Sequence, residues 1–412
     1  MLGPNTIALT ALLGLLTAFG PVATDMYVPS MPDISRALAA STSDVQLTLS
    51  SYLMGFAGGQ IVYGPLSDRW GRKPILLAAL ALFCAASLAC ALAPNIGTLV
   101  AARALQALGG SGAIVLPRAI VRDIYTGERA GRELSRIGAI MSFAPVLAPL
   151  IGAGIQVEFG WRATFAVIVG VGLFATAMVR RAMPETLAHR SGHQSISGIL
   201  HGYGGLLTNR AFVAHLAIAA LSYAGLFAWI SGSPFVLQNL YGLSVFDFGV
   251  AFAIACVGSL IGAALATALV VRLGLSRTIG LGALALATGG LAMVVGVLFE
   301  AKPVVWLVLS MTIYHTGLML AMPQAIAGAM TPFPHCAGTA SSLIGLVQQL
   351  SAASLGAAVG HLVGHSAWPL AGAVATMGCL TLAVWVGSRL TRSEGAENAN
   401  GIELGQTIVS RD

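Results

Sequence analysis

The chain alternates long apolar runs with short polar ones. About twelve apolar segments can be drawn, over residues 6–27, 45–63, 75–93, 96–117, 137–157, 163–179, 211–235, 248–271, 278–299, 304–329, 339–363 and 369–386. A helix needs about 20 apolar residues to cross the hydrocarbon of a bilayer, and several of these segments come close to that length. The pattern predicts an all-α membrane protein of twelve transmembrane helices. The first run has no basic region before it and no convincing cleavage site, so it reads as a retained helix rather than a signal peptide.

The polar stretches divide the helices. The longest, 182–210, carries His189, His193 and His201 and separates six helices from six. The expected organisation is a six-helix bundle over 1–181, a linker over 182–210, a second six-helix bundle over 211–388, and a polar, disordered tail over 389–412. The halves also align weakly. A shift of 203 positions (272 less 69) lays Arg69-Trp70-Gly71 on Arg272-Leu273-Gly274, each between the second and third helix of its half. It also lays the start of the eleventh helix on that of the fifth. In the copy, Val271 stands where Asp68 stood. Repeated six-helix halves with a path at their interface describe a secondary transporter.

Composition supports a membrane setting. Apolar residues make up 57% of the chain and charged ones 9%, too few charges for a water-exposed surface of this size. Glycine, at 50 residues, lets membrane helices approach closely. Placing both termini in the cytoplasm puts Arg69, Arg72, Lys73, Arg118, Arg122, Arg129, Arg132, Arg136, Arg180, Arg181, Arg190, Arg210, Arg272, Arg277, Arg389, Arg392 and Arg411 inside. Only Arg36, Arg162 and Lys302 fall outside. The bias orients the chain with termini inside, and it accounts for the net charge of +6 without a nucleic-acid partner. Four of the five cysteines lie in apolar spans and none forms a CxxC pair, so they read as small apolar residues.

Candidate chemistry rests on the polar residues that interrupt this pattern. Residues 64–74 (Gly-Pro-Leu-Ser-Asp-Arg-Trp-Gly-Arg-Lys-Pro) concentrate four charges, so they are expected as a tight loop outside the membrane, with Gly71 in a turn of positive φ. Asp25 is the only acid inside a span as drawn. A carboxylate in low dielectric can exchange protons near neutral pH; the alternative is an acid at a helix end that pairs or caps. Arg103 is the only base well inside a span. It either tunes Asp25 in one conformation or holds a fixed link to backbone carbonyls. Gln106, one turn on, shares its face. Pro145 and Pro149 remove two backbone donors and should kink their helix, while Gly152 and Gly154 admit a neighbour. Tyr52, Tyr223, Trp229, His315, Gln348 and Gln349 are candidate cavity residues, suited to a large neutral or zwitterionic molecule. They could equally be interfacial or core residues. His361 and His365 have ligand spacing but no third ligand nearby, so no metal is expected. No phosphate-binding Gly-x4-Gly-Lys-Ser/Thr loop, no Gly-x-Ser-x-Gly elbow and no His-Glu-x-x-His occurs, which argues against ATP drive, hydrolase or protease activity.

Taken together, the motifs resemble the major facilitator superfamily. Residues 64–74 resemble its signature between helices 2 and 3. Arg103-Ala-Leu-Gln106-Ala-Leu-Gly109-Gly110 resembles its helix 4 motif, and Ala144-Pro145-x3-Pro149-x2-Gly152-x-Gly154 its helix 5 antiporter motif. Thr24-Asp-Met-Tyr-Val-Pro-Ser-Met-Pro32, Val121-Arg-Asp123, Gly160-Trp-Arg162, Ser231-Gly-Ser-Pro-Phe235 and Ala337-Gly-Thr-Ala340 resemble the bicyclomycin/chloramphenicol-type (Bcr/CflA) drug:proton antiporters.

The resemblance implies a bacterial inner-membrane efflux antiporter that works as a monomer and exchanges a small-molecule drug for protons without a cofactor. It implies that Asp25 lies in the central cavity. It implies a cytoplasmic latch of Gly64, Asp68, Arg69, Gly71, Arg72 and Asp123, in which the loop acid faces the start of helix 11 near Gly338-Thr339 and the loop arginine pairs with the acid after helix 4. It implies that the proline-bearing helix 5 seals the cavity against proton leak. Some multidrug relatives carry a second acid eight positions before Asp25; Thr17 stands there, a departure that bears against cationic drugs. The runner-up is a proton-coupled exporter of a metabolite such as an amino acid or sugar, followed by a non-transporting membrane sensor.

Overall fold

The fold is described from a computed structural model covering residues 6–125, 127–187, 196–299, 303–333, 336–363 and 366–409. Every element among these residues is helical. In the first half they are α1 (Ile7–Thr17), α2 (Phe19–Asp25), a 3-10 turn (Val28–Ser30), α3 (Met31–Ala37), α4 (Thr42–Trp70), α5 (Arg72–Ala91), α6 (Ile96–Ile124), α7 (Gly127–Phe159) and α8 (Trp161–Ala182). The connection carries α9 (Ile196–Leu207). The second half is α10 (Arg210–Pro234) with a π turn (Phe235–Leu240), α11 (Val245–Leu273), α12 (Leu275–Phe299), α13 (Pro303–Met330), α14 (Ala337–Leu362) and α15 (Trp368–Val409).

Ten of these helices are long and apolar enough to cross a membrane, and the bent pair at the N-terminus makes an eleventh. The segment 45–63 lies within α4, which has the length but is more polar. Large apolar side chains such as Leu147, Ile151, Leu284, Leu298 and Leu309 lie more than half exposed, on a surface that only lipid would cover favourably.

Three elements depart from the sequence pattern. The run 6–27 is not one helix. It breaks at Ala18, and the two parts are bent by 40°. Pro21 cannot donate back to Thr17, and the Thr17 hydroxyl instead donates to the Gly14 carbonyl at 2.8 Å. Residues 64–74 are not a loop either. α4 continues through Pro65 to Trp70, α5 begins at Arg72, and Gly71 alone makes the turn at φ 100°. Only glycine adopts that conformation without strain. The region expected as an irregular tail continues α15 as far as Val409, with no proline after Pro369 to end it.

The repeat seen in the sequence is present in the packing. α4 and α5 both pack on α6, and α5 on α8; in the second half α11 and α12 both pack on α13, and α12 on α15. Gly274, the copy of Gly71, separates α11 from α12 with φ 76°. The halves meet along two seams, α4 on α14 and α7 on α11. Part of the polarity of α4 is spent on the second half. Gln46 Nε2 donates to the Ser231 carbonyl at 2.9 Å, Ser50 Oγ donates to the Ala353 carbonyl at 3.1 Å, and Gln60 abuts Gly345. Those three residues fall on one face of a 3.6-residue helix, which explains why this helix is the least apolar.

Candidate functional site

The two ends of the bundle differ in charge. One, the basic end, carries Arg69, Arg72, Arg122, Arg180, Arg210, Arg272 and Arg389; the far end carries Asp33, Arg36 and Arg162. The intramembrane charges lie between them.

Arg103 on α6 is wholly buried. Its guanidinium is stacked between the rings of Tyr27 at 4.6 Å and Tyr52 at 4.3 Å, with Phe165 at 5.9 Å. One nitrogen, Nη1, donates to the Ala23 carbonyl at 2.9 Å and to Gln106 Oε1 at 2.6 Å. Gln106 in turn donates to Ser87 Oγ at 2.8 Å. Nε and Nη2 have no partner among the described residues. Of the two roles open for Arg103 in the sequence, this conformation displays the carbonyl link. The aromatic faces replace part of the hydration that the cation gives up.

Asp25 ends α2, two residues after the carbonyl that Arg103 holds. It is 5% exposed, accepts from Thr24 Oγ1 at 2.9 Å, and forms no ion pair among the described residues. Its electrostatic neighbours include Tyr52 from the first half and Tyr223 and Cys256 from the second. Gln349 is an electrostatic neighbour of Tyr223. Cys256 Sγ lies 4.0 Å from His315 Nε2, while His315 Nδ1 is 3.0 Å from the Met311 carbonyl. The structure therefore brings Asp25, Arg103, Gln106, Tyr52, Tyr223, Gln349 and His315 into one buried neighbourhood spanning both halves. The Tyr52 hydroxyl and Gln349 Oε1 are unpartnered there among the described residues, ready for a ligand's polar groups. Gln348 is turned to its own half, donating to the Ala219 carbonyl at 3.4 Å, and Trp229 packs on Phe252 with ring centroids 6.4 Å apart.

α7 runs as one element through Pro145 and Pro149. A Cβ on Gly152 would collide with the backbone of Met26, the residue after Asp25. On the other side, a Cβ on Gly249 of α11 would lie 3.1 Å from the Pro149 carbonyl. The helix 5 motif is thus wedged between Asp25 and the second half. Gly154 has nothing within 4 Å of its Cβ position.

At the basic end, Arg72 gathers several of the residues expected to form a latch. Its side chain donates to Asp68 Oδ1 at 2.5 Å, Asp123 Oδ2 at 2.8 Å and Ser67 Oγ at 2.6 Å. The pairing with the acid after helix 4 is present. Asp68 sits on Arg72, and among the described residues nothing lies within 4 Å of the Gly338 Cβ position at the start of α14. Arg69 lies against the Trp70 ring at 5.3 Å, and nothing lies within 4 Å of the Gly64 Cβ position.

Two acids escaped the sequence reading. Glu185, just past α8, accepts from the backbone N–H of Arg72 at 2.9 Å and of Lys73 at 3.1 Å. Partial burial pushes its pKa up, but four backbone N–H donors outweigh burial and leave the carboxyl below its ordinary value. Only its position after Arg180-Arg181 hinted at a role. Glu133 was excluded because the fifth apolar run starts at 137. In the structure it is 7% exposed, accepting from Thr10 Oγ1 at 2.8 Å and pairing with Arg136 at 2.7 Å. Asp25 is therefore not the only acid within the helical spans. His189, His193 and His365 lie outside the described residues.

The family model for the Major Facilitator Superfamily matches residues 13–357. An uncharacterised MFS-type transporter of Bacillus subtilis, YdgK, is 36% identical over 368 residues, covering 88% of this chain and 90% of the relative. A bicyclomycin resistance protein homolog of Haemophilus influenzae is 29% identical, with 95% of this chain and 99% of the relative covered. A chloramphenicol resistance protein of Pseudomonas aeruginosa is 29% identical, with 95% and 92% covered. Among solved structures, the partially occluded inward-open xylose transporter XylE of E. coli superposes with a TM-score of 0.72 over 91% of this chain and 95% of that one, at 17% identity.

Proposed function

This chain belongs to the Major Facilitator Superfamily, and we propose that it is a proton-driven exporter of drug-like molecules across the bacterial inner membrane. It works as a monomer of twelve spans, with α1 and its bent continuation as the first and α4 as the second, and both termini face the cytoplasm. The names of the bicyclomycin and chloramphenicol resistance relatives support the substrate class. The observation that carries the reading is Asp25: a buried carboxylate without an ion-pair partner among the described residues, beside the seam between the halves, with groups of both halves around it.

The cycle follows from that placement. A drug enters from the inside or the inner leaflet while Asp25 is ionised. Tyr52, Tyr223 and Gln349 supply the polar contacts, and neighbouring apolar surface the rest. The halves rock to open outward, Asp25 takes a proton from outside, the drug leaves, and the protonated, neutral site resets. Arg103 senses the same segment through the Ala23 carbonyl, so a shift of α2 moves the cation relative to the carboxylate. The far end is joined in this conformation, with Gln238 Nε2 donating to the Pro29 carbonyl at 3.1 Å. At the basic end the Asp68 to α14 contact is unmade. Both features support an inward-facing state.

The test is accumulation of neutral, zwitterionic and cationic antibiotics in efflux-deficient bacteria expressing the chain, with and without a protonophore. Protonophore-sensitive exclusion of some compounds is expected, and Asp25→Asn removes it. Exclusion against a gradient at the parental level by Asp25→Asn sinks the coupling role. No exclusion of any compound, with the protein present in the membrane, moves the substrate to a metabolite.

A further inference from the structure

At the basic end of the second half, α10, α12 and α15 line a half-open cavity of about 360 Å³, remote from Asp25 and its neighbours. Its floor is apolar, from the buried side chains of Ile218 and Ile279. Its rim is polar, from His215, Ser276, Trp385 and Arg389. The rim is built rather than incidental. Trp385 Nε1 donates to the Ser276 carbonyl at 2.9 Å, and Arg389 donates through Nη2 and Nε to Ser276 Oγ at 3.0 and 3.3 Å. The guanidinium lies 5.0 Å from the Trp385 ring centroid. His215 is fixed by its Nδ1, 2.7 Å from the Ala211 carbonyl.

Arg389 thus has a neutral hydroxyl for a partner and pairs with no carboxylate among the described residues. Arg277, next to Ser276, and Arg210, at the start of α10, are exposed at the same end and add positive potential. A tryptophan and an arginine at a helix end, over an apolar floor, match the headgroup level of a bilayer. Beyond the rim, the exposed side chains of Val213, Leu281 and Val386 continue an apolar surface along the three helices. Basic pockets between membrane helices suit anionic headgroups.

We propose that this cavity binds the phosphate of an anionic membrane lipid. The phosphate sits on Arg389, the headgroup lies against Ser276 and His215, and the acyl chains run down the apolar faces. Only the choice of leaflet, the cytoplasmic one, rests on the orientation proposed above.

The experiment uses the whole protein, purified in a neutral detergent and titrated with dioleoyl-phosphatidylglycerol, dioleoyl-phosphatidylcholine or glycerol phosphate, binding being read by native mass spectrometry and by thermal shift. Phosphatidylglycerol should bind in preference to phosphatidylcholine. Arg389→Gln should weaken it about fivefold, roughly the effect of one cation at a membrane surface. Arg389→Lys should recover most of the loss, and Arg36→Gln, at the far end of the molecule, should change little. If Arg389→Gln does not assemble, Ser276→Val, which removes the oxygen that aims the guanidinium, must show the same weakening. Glycerol phosphate that binds at the same residues, without need of chains, would assign the site to a soluble phosphate. No preference for the anionic lipid, unaltered binding in the Arg389 or Ser276 variant, or an equal loss in Arg36→Gln overturns the proposal. None of these readouts depends on drug transport, so their failure is separate from failure of the export reading.

Discussion

Asp25 and Arg103 are separated by one hydrogen-bonded carbonyl, not joined as an ion pair. That arrangement leaves the carboxylate free to change its protonation state without stranding the cation, which keeps Tyr27, Tyr52 and the Ala23 carbonyl. Arg103→Lys should therefore be a severe change despite conserving charge. An ammonium cannot fill the flat slot between two rings and reach Ala23 and Gln106 together. Losing the stacking costs about 0.5–2 kcal/mol, so drug-dependent proton movement in proteoliposomes should fall about tenfold, with the protein still folded. Transport at the parental rate in Arg103→Lys would show that a positive charge alone suffices. Both charges were legible in the sequence because each stands alone in an apolar run. Their surroundings were not: Tyr27 and Phe165 reach Arg103 from the turn after α2 and from α8, and no local pattern marks a ring that will face a guanidinium.

At the scale of elements, polarity alone misled where backbone geometry decided. The charges of 64–74 look like a loop, yet one glycine at φ 100° suffices to turn the chain, and the rest stays helical. Gly152 shows the opposite case. It was legible as a packing glycine, but its partner, the backbone of Met26 beside Asp25, was not. Gly152→Ala places a methyl group against a main chain that cannot swing away. Overpacking of this kind costs about 1–3 kcal/mol, so the variant should melt lower and leak protons without drug, as read by dye quenching in proteoliposomes. A tight, fully coupled Gly152→Ala protein would deny the sealing role of α7.

The connection after α8 belongs to the same scale. Glu185 binds the first backbone N–H groups of α5, tying the inter-half segment to the latch. Thr186 Oγ1 adds a donor to Asp123 Oδ2 at 3.3 Å. Because the folded carboxyl titrates below its ordinary value of 4.5, the clasp is fully present above that pH and is lost only as the pH falls through the lower, folded value. Hydrogen exchange at the Arg72 and Lys73 amides should be slow at pH 6 and, once intrinsic rates are corrected, faster in Glu185→Gln. Equal protection in the two proteins would reduce Glu185 to a bystander. The clasp could not be read from sequence, since its acid and its donors are more than a hundred residues apart.

For the whole molecule, the question is which contacts must break for the halves to rock. The α4–α14 and α7–α11 seams run deep between the halves, whereas Gln238 on the Pro29 carbonyl is a single far-end bond between the π turn after α10 and the turn after α2. If the cavity faces the basic end here, this far-end contact must part on every cycle. One charge crossing about 100 mV contributes about 2.3 kcal/mol, enough for a drug gradient of roughly fifty-fold. Gln46 on the Ser231 carbonyl, one turn into α4 from the same far end, must part with the Gln238 contact; two neutral hydrogen bonds, at about 0.5–1.5 kcal/mol net each, are a barrier comparable with this drive. A covalent link exceeds it. Pro29→Cys combined with Gln238→Cys, in a background lacking the five native cysteines, should be joined by a short cleavable bis-thiol reagent and lose export. Reductant should restore it, and either single variant should be insensitive. Binding of drug from the basic side should survive the link, because the far end is already joined in the state that receives it. A cross-linked protein that still exports would mean the far end never opens, and the rocking of the two halves would have to be abandoned for another route past Asp25.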